Sequence, residues 1–451
     1  MNILIVGNGF DLSHFLPTKY DHFMEAMISI ENFSSTSKDM NFDDIYQKLL
    51  TKESFFFTRT KELYDYQKIK LDQDQIKKFK DQLELNIWYK YFLKHVNDIK
   101  TWIDFEQKIE EALIHAVKAI NIIEERHSTT RFFNSPIYTA PRNSPNSYFF
   151  TEFQFNILLC LNFIEENSKN PTSTIRVGKL NKTYFKSETN EFYGFDSNKF
   201  ISFLQKQLSD FIEIFNLYLT LIINNLAPLS NFKIEELNNI NKVYSFNYTN
   251  SFEKFYNSEV EIYYLHGKSG ENQNLVLGIS DLKEGSLKNL KAYEFTKYHQ
   301  KILKNTQYDF LNLDIKKNNA HLRDLEEAKL MYRAGLNTYP LSNNLSNKVS
   351  NLEFAIQNIN LNITIWGHSL DISDEVYINE IFSFNEEIDN NVRVTIYYFN
   401  NQAKSDLLTN LFHILGKDKV ERWMKNKWLE FKENPSNKKT IKPVLSEHSL
   451  F

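Results

Sequence analysis

The 451-residue sequence is poor in cysteine, in net charge and in long apolar runs. Its one cysteine, Cys160, excludes an internal disulfide and a cysteine-rich site for structural zinc. No uncharged apolar run reaches the roughly 20 residues that span a bilayer, so no membrane segment is expected. The first apolar run lacks a basic start and ends at Gly7, which does not fit a signal peptide. These absences favour the reducing cytoplasm.

The formal net charge is −4 at pH 7, so the chain lacks the general positive field that attracts polyanions. Nucleic acid is therefore not favoured as a partner. Apolar residues, in contrast, are plentiful: 42% of the chain is hydrophobic, with 38 Phe and 24 Tyr. This composition is that of a folded protein with a sizeable core. The length is compatible with one core that carries insertions.

Strand-type runs lie near the start and in the last half of the chain, and helical periodicity fills the space between them. We predict an α/β, Rossmann-like fold with a mainly parallel sheet and large helical insertions. The predicted parts are the core at 1–30, 240–280 and 360–402, a helical insertion at 40–235, a second one at 281–360, and C-terminal helices at 403–451.

The predicted strands are β-branched or aromatic runs bordered by turn residues. The spacing of Trp102, Phe105 and Ile109 predicts a long helix. Thr18 and Asp21 predict a capping box at the start of an earlier helix. The predicted strands are Asn2–Val6, Lys242–Phe246, Glu261–Leu265, Asn274–Leu277, Asn362–Trp366 and Val392–Phe399.

The first candidate site segment, Gly7-Asn8-Gly9-Phe10-Asp11, follows the first strand directly. Glycines in this position let backbone N–H groups approach an anionic ligand closely. Asp11 could accept a ribose hydroxyl or hold the loop. The third glycine of GxGxxG is absent, so the motif by itself fits a plain turn equally well.

The second segment contains Asn247 and Thr249 and follows the run Lys242–Phe246. Polar residues at the carboxyl end of a strand in an open α/β sheet face the ligand crevice. Asn247 is thus predicted to bind a sugar hydroxyl or to position a water molecule. The alternative is that both side chains only bond the backbone of a turn.

The third segment is His266-Gly267 at the end of Glu261–Leu265, with Gly278 closing the next predicted strand. A neutral imidazole can accept a proton from a ribose hydroxyl near neutral pH. His266 is therefore the best candidate for a general base. The histidines in helical runs are expected to be structural or to lie at the surface.

The fourth segment, Gly367-His368-Ser369-Leu370-Asp371, follows Asn362–Trp366 and is followed by Asp374. A glycine and a serine at a strand end can cradle ribose or phosphate. His368 could contact the ligand or orient another group. Asp371 or Asp374 could cap the helix that starts near Glu375, and capping is expected more of Asp374. Because all four segments follow strands, we expect them to meet at one edge of the sheet.

These segments together resemble the AbiH family of bacterial abortive-infection proteins. The resemblance extends over nearly the whole chain and implies defence against bacteriophage by damaging or arresting the infected cell. The strings that carry it are GNGFDL and LPTKY within Asn2–Tyr20, Trp102-x-Asp104-x-Glu106, FNYT at Phe246–Thr249, His266-Gly267, and GHSLD at Gly367–Asp371 with Asp374.

More distantly, the same skeleton is similar to the sirtuin-type (SIR2-like) NAD-binding fold. That similarity implies that Asn247 and His266 stand where the catalytic Asn and His stand. The chain departs from a sirtuin deacetylase because one cysteine cannot build the four-cysteine zinc module and because Thr249 replaces an acidic residue. Deacetylation is therefore disfavoured, whereas cleavage of NAD by water stays open. The residues implied to surround NAD are Gly7, Asn8, Gly9, Phe10, Asp11, Thr249, Gly267, Gly278, Gly367, His368, Ser369 and Asp371.

Three functions follow as hypotheses. The first is hydrolysis of NAD as substrate, with its pyrophosphate over Gly7–Gly9. The second is a sensor that binds a small-molecule nucleotide or a phage-derived trigger without turnover, and a homo-oligomer is left open. The third is a metal-dependent nuclease that uses Asp11, His266, His368 and Asp371, although no compact ligand spacing supports a metal site.

Overall fold

The computed structural model describes two compact units. The sheet unit comprises Met1–Leu16, Pro228–Lys268 and Thr306–Phe451, and the helical unit comprises Pro17–Ala227 and Ser269–Asn305. The described residues are 1–35, 37–96, 98–99, 101–126, 135–141, 147–167, 174–188, 191–229, 233–256, 259–307, 309–311, 324, 327–331, 346–351, 361–385, 389 and 391–435.

The strands are β1 (Asn2–Val6), β2 (Met40–Asn41), β3 (Lys70–Leu71), β4 (Ile137–Tyr138), β5 (Tyr148–Phe149), β6 (Ile164–Glu166), β7 (Val177–Leu180), β8 (Phe185–Glu188), β9 (Glu191–Phe195), β10 (Lys242–Ser245), β11 (Glu261–Tyr264), β12 (Leu361–Trp366), β13 (Val392–Tyr398) and β14 (Leu429–Glu433). The α-helices are α1 (Asn8–Ser13), α2 (Tyr20–Asn32), α3 (Phe42–Ile45), α4 (Gln47–Lys52), α5 (Ser54–Leu63), α6 (Gln73–Leu85), α7 (Ile87–Lys94), α8 (Trp102–Glu125), α9 (Glu152–Cys160), α10 (Ser197–Tyr218), α11 (Ser251–Phe255), α12 (Gly285–Asn289), α13 (Lys297–Leu303), α14 (Glu375–Ile381), α15 (Asn401–Leu415) and α16 (Lys417–Lys425). Short 3₁₀ helices lie at Tyr66–Lys68, Lys182–Tyr184, Glu235–Leu237, Ala292–Phe295 and Ile372–Asp374, and a π-helical turn at Leu219–Ile223. Within the described part of the chain, every helix is too short or too polar to traverse a lipid bilayer.

A six-stranded sheet forms the centre of the sheet unit, in the order β11-β10-β1-β12-β13-β14. Every neighbouring pair in it is parallel. Numbered along the chain, these strands lie in the order 3-2-1-4-5-6, which is that of the doubly wound dinucleotide-binding fold. The predicted α/β class and parallel sheet are confirmed.

Both faces of the central strand β1 are buried. Ile3 and Ile5 belong to one apolar cluster of the sheet unit. Leu4 and Val6 belong to a second cluster. A strand covered on both faces reads as a continuous apolar run, which is why β1 was predicted with its observed limits.

The predicted strand Asn274–Leu277 is wrong, because this segment pairs with no strand in the described structure. The Gln300 side chain instead satisfies the backbone of Leu277: its Oε1 accepts from the Leu277 N–H at 3.1 Å, and its Nε2 donates to the Leu277 carbonyl at 2.9 Å. A β-type pattern therefore marks buried extended chain here whose hydrogen bonds go to a helix side chain.

The C-terminal region contains more than the predicted helices. After α15 and α16 the chain returns to the sheet as β14, which pairs in parallel with β13. The prediction of helices throughout 403–451 is therefore wrong for Leu429–Glu433. Residues 436–451 lie outside the described residues.

The helical unit contains the long helix predicted from the spacing of Trp102, Phe105 and Ile109, and that helix is α8. Thr101 and Asp104 form its capping box. The division into units also differs from the predicted parts, because residues 17–30 and 269–280, expected in the core, belong to the helical unit.

The predicted second insertion, 281–360, is divided between the two units. It begins with α12 and α13 in the helical unit, and residues 327–331 and 346–351 of the sheet unit are also helical. Much of the remaining segment lies outside the described residues.

The turns after β1 and β12 pack backbone against backbone. A Cβ added to Gly7 would lie 2.6 Å from the Cα of His368, and one added to Gly9 would lie 2.6 Å from the Cα of Gly367. Gly367 itself has φ +67, and its added Cβ would lie 2.3 Å from the carbonyl carbon of Gly9. Only glycine permits this approach without moving the chain.

We predict that Gly367→Ala destabilises the protein more than Gly416→Ala. Gly416 also has a positive φ, +78, but no atom lies within 4 Å of its added Cβ. With ψ 153 it lies in a region of backbone conformation that only glycine adopts readily, so its substitution should cost backbone strain alone, about 1–3 kcal/mol. At Gly367 steric overlap adds about 1–3 kcal/mol. Urea unfolding of both variants measures the difference, and equal losses would contradict the close approach.

Candidate functional site

Four strands of the sheet unit end in one row. Val6 pairs with Ser245 and with Trp366, and Ser245 pairs with Tyr264. Because these strands are parallel, the residues that follow them leave the sheet at the same edge. This carboxyl edge is where doubly wound sheets bind ligands.

The glycine turn after β1 does not offer the N–H groups that were expected to cradle an anion. The Gly7 N–H donates to the carbonyl of Trp366 at 3.1 Å, and the Gly9 N–H donates to the carbonyl of Gly367 at 2.9 Å. Phe10 is fully buried in the core of the sheet unit. The N–H groups of both glycines thus have backbone partners within the sheet unit, and Asn8 lies half-buried in the turn.

Asp11 holds two strand-end loops together, which is one of its two expected roles. Its fully buried carboxylate accepts hydrogen bonds from Thr249 Oγ1 at 2.7 Å and Ser251 Oγ at 2.5 Å. Burial raises the pKa of Asp11 to about 6, although hydrogen bonds from Ser251 and Thr249, the nearby Asn247 amide and the charge of Lys254 oppose the rise. Thr249 is thus a partner of Asp11.

Asn247 carries a buried polar atom without a partner. Its side chain is only 5% exposed, and its Nδ2 makes no hydrogen bond of acceptable geometry, although the amide lies close enough to Asp11 to lower the pKa of that carboxyl. Its backbone N–H donates to Ser245 Oγ at 3.1 Å. A buried amide without an acceptor is costly, and such groups are characteristic of sites that bind a ligand or water.

Two histidines from neighbouring segments flank one carboxylate. The Asp374 Oδ1 lies 3.5 Å from His266 Nε2, and the Asp374 Oδ2 lies 3.4 Å from His368 Nε2. All three side chains are at least nine-tenths buried. Asp374 can therefore orient both rings and stabilise positive charge on either one.

His368 has a defined tautomer. The backbone N–H of Leu370 donates to His368 Nδ1 at 3.0 Å, so the ring proton lies on Nε2, towards Asp374. The ring of Phe246 packs edge-on against both imidazoles, with centroid distances of 5.1 Å to His266 and 4.2 Å to His368. The residue before Asn247 thus joins the second segment to the third and fourth.

Of the two candidate caps in the fourth segment, Asp371 makes a capping hydrogen bond and Asp374 does not. Asp371 caps the short helix Ile372–Asp374 by accepting the Ser373 N–H at 2.9 Å. Asp374 precedes α14, but its side chain makes no capping hydrogen bond and faces the histidines instead. Both have a type and position that suit a cap, so the sequence carries no signal that would have separated them.

The structure also shows the surroundings of three further predicted site residues, Ser369, Gly267 and Gly278. Ser369 is exposed, and its carbonyl accepts from Asn410. Gly267 lies buried in a turn with φ +83. Gly278 belongs to the helical unit, where an added Cβ would lie 2.2 Å from the carbonyl oxygen of Phe295, so close packing accounts for its being glycine.

The ligand set of the nuclease hypothesis is not assembled. Both oxygens of Asp11 accept hydroxyl groups, and Asp371 caps a helix. Only His266 and His368 of that set share a neighbour, Asp374.

The fold and the site define a doubly wound α/β protein with a buried polar cluster at the carboxyl edge of its sheet. A sequence model of the family described as "Bacteriophage abortive infection AbiH" matches residues 3–398. The chain belongs to this AbiH family, and its role is thereby one of abortive-infection defence against bacteriophage. No curated protein and no solved structure matches the chain, so the sirtuin-type similarity stays a prediction.

We predict that Asp11 makes the stability of the protein depend on pH. Because its folded pKa of about 6 lies above the usual value of 3.8, the folded state favours the protonated carboxyl. The buried charge therefore costs stability above pH 6, and this cost disappears as the pH falls through 6 towards 3.8. Relative to Asp11→Asn, the wild type should gain about 2 kcal/mol between pH 7 and pH 4. Urea unfolding across this range measures it, and a constant difference would contradict the assignment.

Proposed function

We propose that this AbiH chain hydrolyses NAD⁺ at the bond between nicotinamide and ribose, at the site that contains Asn247 and His266. The observation that carries the proposal is the buried Nδ2 of Asn247, which has no hydrogen-bond partner and lies on the segment next to that of His266. A sugar hydroxyl or a water molecule has the acceptor that this amide lacks.

In the proposed reaction the bond between ribose C1′ and the nicotinamide ring nitrogen breaks, and its electron pair neutralises the pyridinium. The ribose then carries an oxocarbenium-like charge. A water oxygen bonds to C1′ and loses a proton, so the products are nicotinamide, ADP-ribose and H⁺. The site has to orient the ribose, stabilise the charge and admit a single water.

The described residues fit these tasks. The Asn247 amide would donate to a ribose hydroxyl or to the attacking water. The His266 ring nitrogen that does not face Asp374 would accept a proton, and the Asp374 carboxylate, 3.5 Å from Nε2, would stabilise the resulting imidazolium. His368 would hold Asp374 from the other side.

The substrate position differs from the one that the glycine motif suggested. The N–H groups of Gly7 and Gly9 are bonded to β12 and its turn, so they do not serve the pyrophosphate. The proposal therefore assigns binding residues to the ribose and none to a phosphate group.

We predict that Asn247→Ala and His266→Ala each reduce NAD⁺ hydrolysis by at least about 10²-fold, because each removes a group that acts on the ribose or the water. His413→Ala serves as the matched control, since His413 is exposed on α15. The measurement is NAD⁺ consumption by the purified chain and in phage-infected cells.

Circular dichroism establishes that the variants are folded. Parental turnover in either variant would refute the assignment. Calorimetric binding of NAD⁺ by a wild-type chain that never consumes it would instead favour a nucleotide sensor.

We predict that Asp374→Asn lowers kcat about 10-fold or more with little change in KM, because it removes the carboxylate that orients the His266 ring. Glu375→Gln is the control, since Glu375 is the exposed next residue. A purely structural role for Asp374 would leave the pH profile of kcat unchanged. A positioning role shifts it, because the imidazolium loses its counter-charge. An unshifted profile with parental kcat would contradict the role.

A further inference from the structure

The segment that follows the first candidate site contains several buried polar atoms without hydrogen bonds. They are Thr18 Oγ1, Tyr20 OH, Asp21 Oδ1 and His22 Nδ1, all in the helical unit. The predicted capping box of Thr18 and Asp21 is wrong, because α2 begins at Tyr20 with Lys19 as its N-cap and without a side-chain capping bond. The structure therefore gives these groups no local partner.

Glu53, at the junction of α4 and α5, faces this segment. Its Oε2 lies 2.6 Å from Lys19 Nζ and 3.3 Å from His22 Nε2. The His22 ring is fully buried and packs against Phe56 and Phe57, with centroid distances of 5.1 Å and 5.3 Å. The aromatic contacts hold the imidazole in place beside the carboxylate.

One potential ligand atom from each of Asp21, His22 and Glu53 lies within 4.8 Å of the other two. In the part of the chain that the structure describes, no other trio of His, Cys, Asp or Glu side chains is this compact. Lys19 accounts for Glu53 but leaves the buried Asp21 Oδ1 without a donor. A cation bound by one atom from each of the three side chains would compensate the Asp21 carboxylate, whose Oδ1 has no donor.

We propose that Asp21, His22 and Glu53 form a binding site for one divalent transition-metal ion. An imidazole with two carboxylates is a donor set that suits Zn²⁺ better than Mg²⁺, which prefers oxygen ligands and retains its waters. The ion links the start of α2 to the α4–α5 junction inside the helical unit. This site is independent of the proposed hydrolysis of NAD⁺.

Lys19 is the competitor of the metal. Its ammonium contacts the same Glu53 oxygen, and its side chain is 35% exposed, so it can turn into solvent when a metal binds. Metal affinity thus includes the cost of displacing this ion pair. Removal of the Lys19 ammonium should therefore raise the affinity for the metal, whereas removal of a ligand should lower it.

The test is titration of the EDTA-treated, desalted full-length chain with Zn²⁺, followed by calorimetry and by the melting temperature. The wild type is expected to bind one equivalent that millimolar Mg²⁺ does not displace, with a higher Tm. Asp21→Asn and Glu53→Gln should each weaken this equivalent by about 10²-fold, because each removes a first ligand. Glu62→Gln, an exposed carboxylate on α5, should bind as the wild type does.

The Lys19→Met variant tests the site even if the protein does not fold with a substituted Asp21 or Glu53. It should tighten Zn²⁺ binding about 10-fold, since the metal no longer displaces an ion pair. Equal Zn²⁺ binding by the wild type, Asp21→Asn and Glu53→Gln would overturn the proposal. Absence of Zn²⁺ binding by the wild type, displacement by Mg²⁺, or unchanged affinity in Lys19→Met would overturn it as well.

Discussion

The contact between the turn after β1 and the turn after β12 is the constraint on which the rest of the sheet unit depends. At this point the strand order reverses, and a doubly wound fold ordinarily leaves a crevice there. Here the turn that contains Gly9 and the turn that contains Gly367 pack backbone against backbone. The same approach places the Cα of His368 beside Gly7. The polar site lies where the segments after β10, β11 and β12 meet, since Phe246 touches both histidines.

The distribution of charge at this edge follows from burial. Asp11 and Asp374 are both buried carboxylates, but their partners differ. Asp11 is held by two hydroxyl donors, which suits a residue that fixes loops. Asp374 lies between two titratable rings, which suits a residue that responds to charge on them. One edge of the sheet thus contains one carboxylate that fixes loops, Asp11, and one that can respond to charge on the histidines, Asp374.

The helical unit also contains buried polar groups that lack hydrogen-bond partners. The buried groups of Asp21 and His22 lie at the start of α2, where capping side chains ordinarily satisfy the first turn. Lys19 and Glu53 compensate only part of this cluster. The family pattern reaches residue 398 and includes this segment, so the cluster belongs to the AbiH part of the chain.

The sequence by itself determined β1, the parallel sheet and the position of the four polar segments, because buried strands and the turns after them have local patterns. It also identified the segments that contain Asn247 and His266. The tertiary structure alone decided which aspartate faces the histidines, since Asp371 and Asp374 are chemically equal and three positions apart. It alone also showed that the glycines serve backbone packing, and that Gln300 satisfies the backbone of Leu277 in place of a strand. These outcomes depend on partners far away in the chain, and no local pattern encodes the distance between two side chains that only folding brings together.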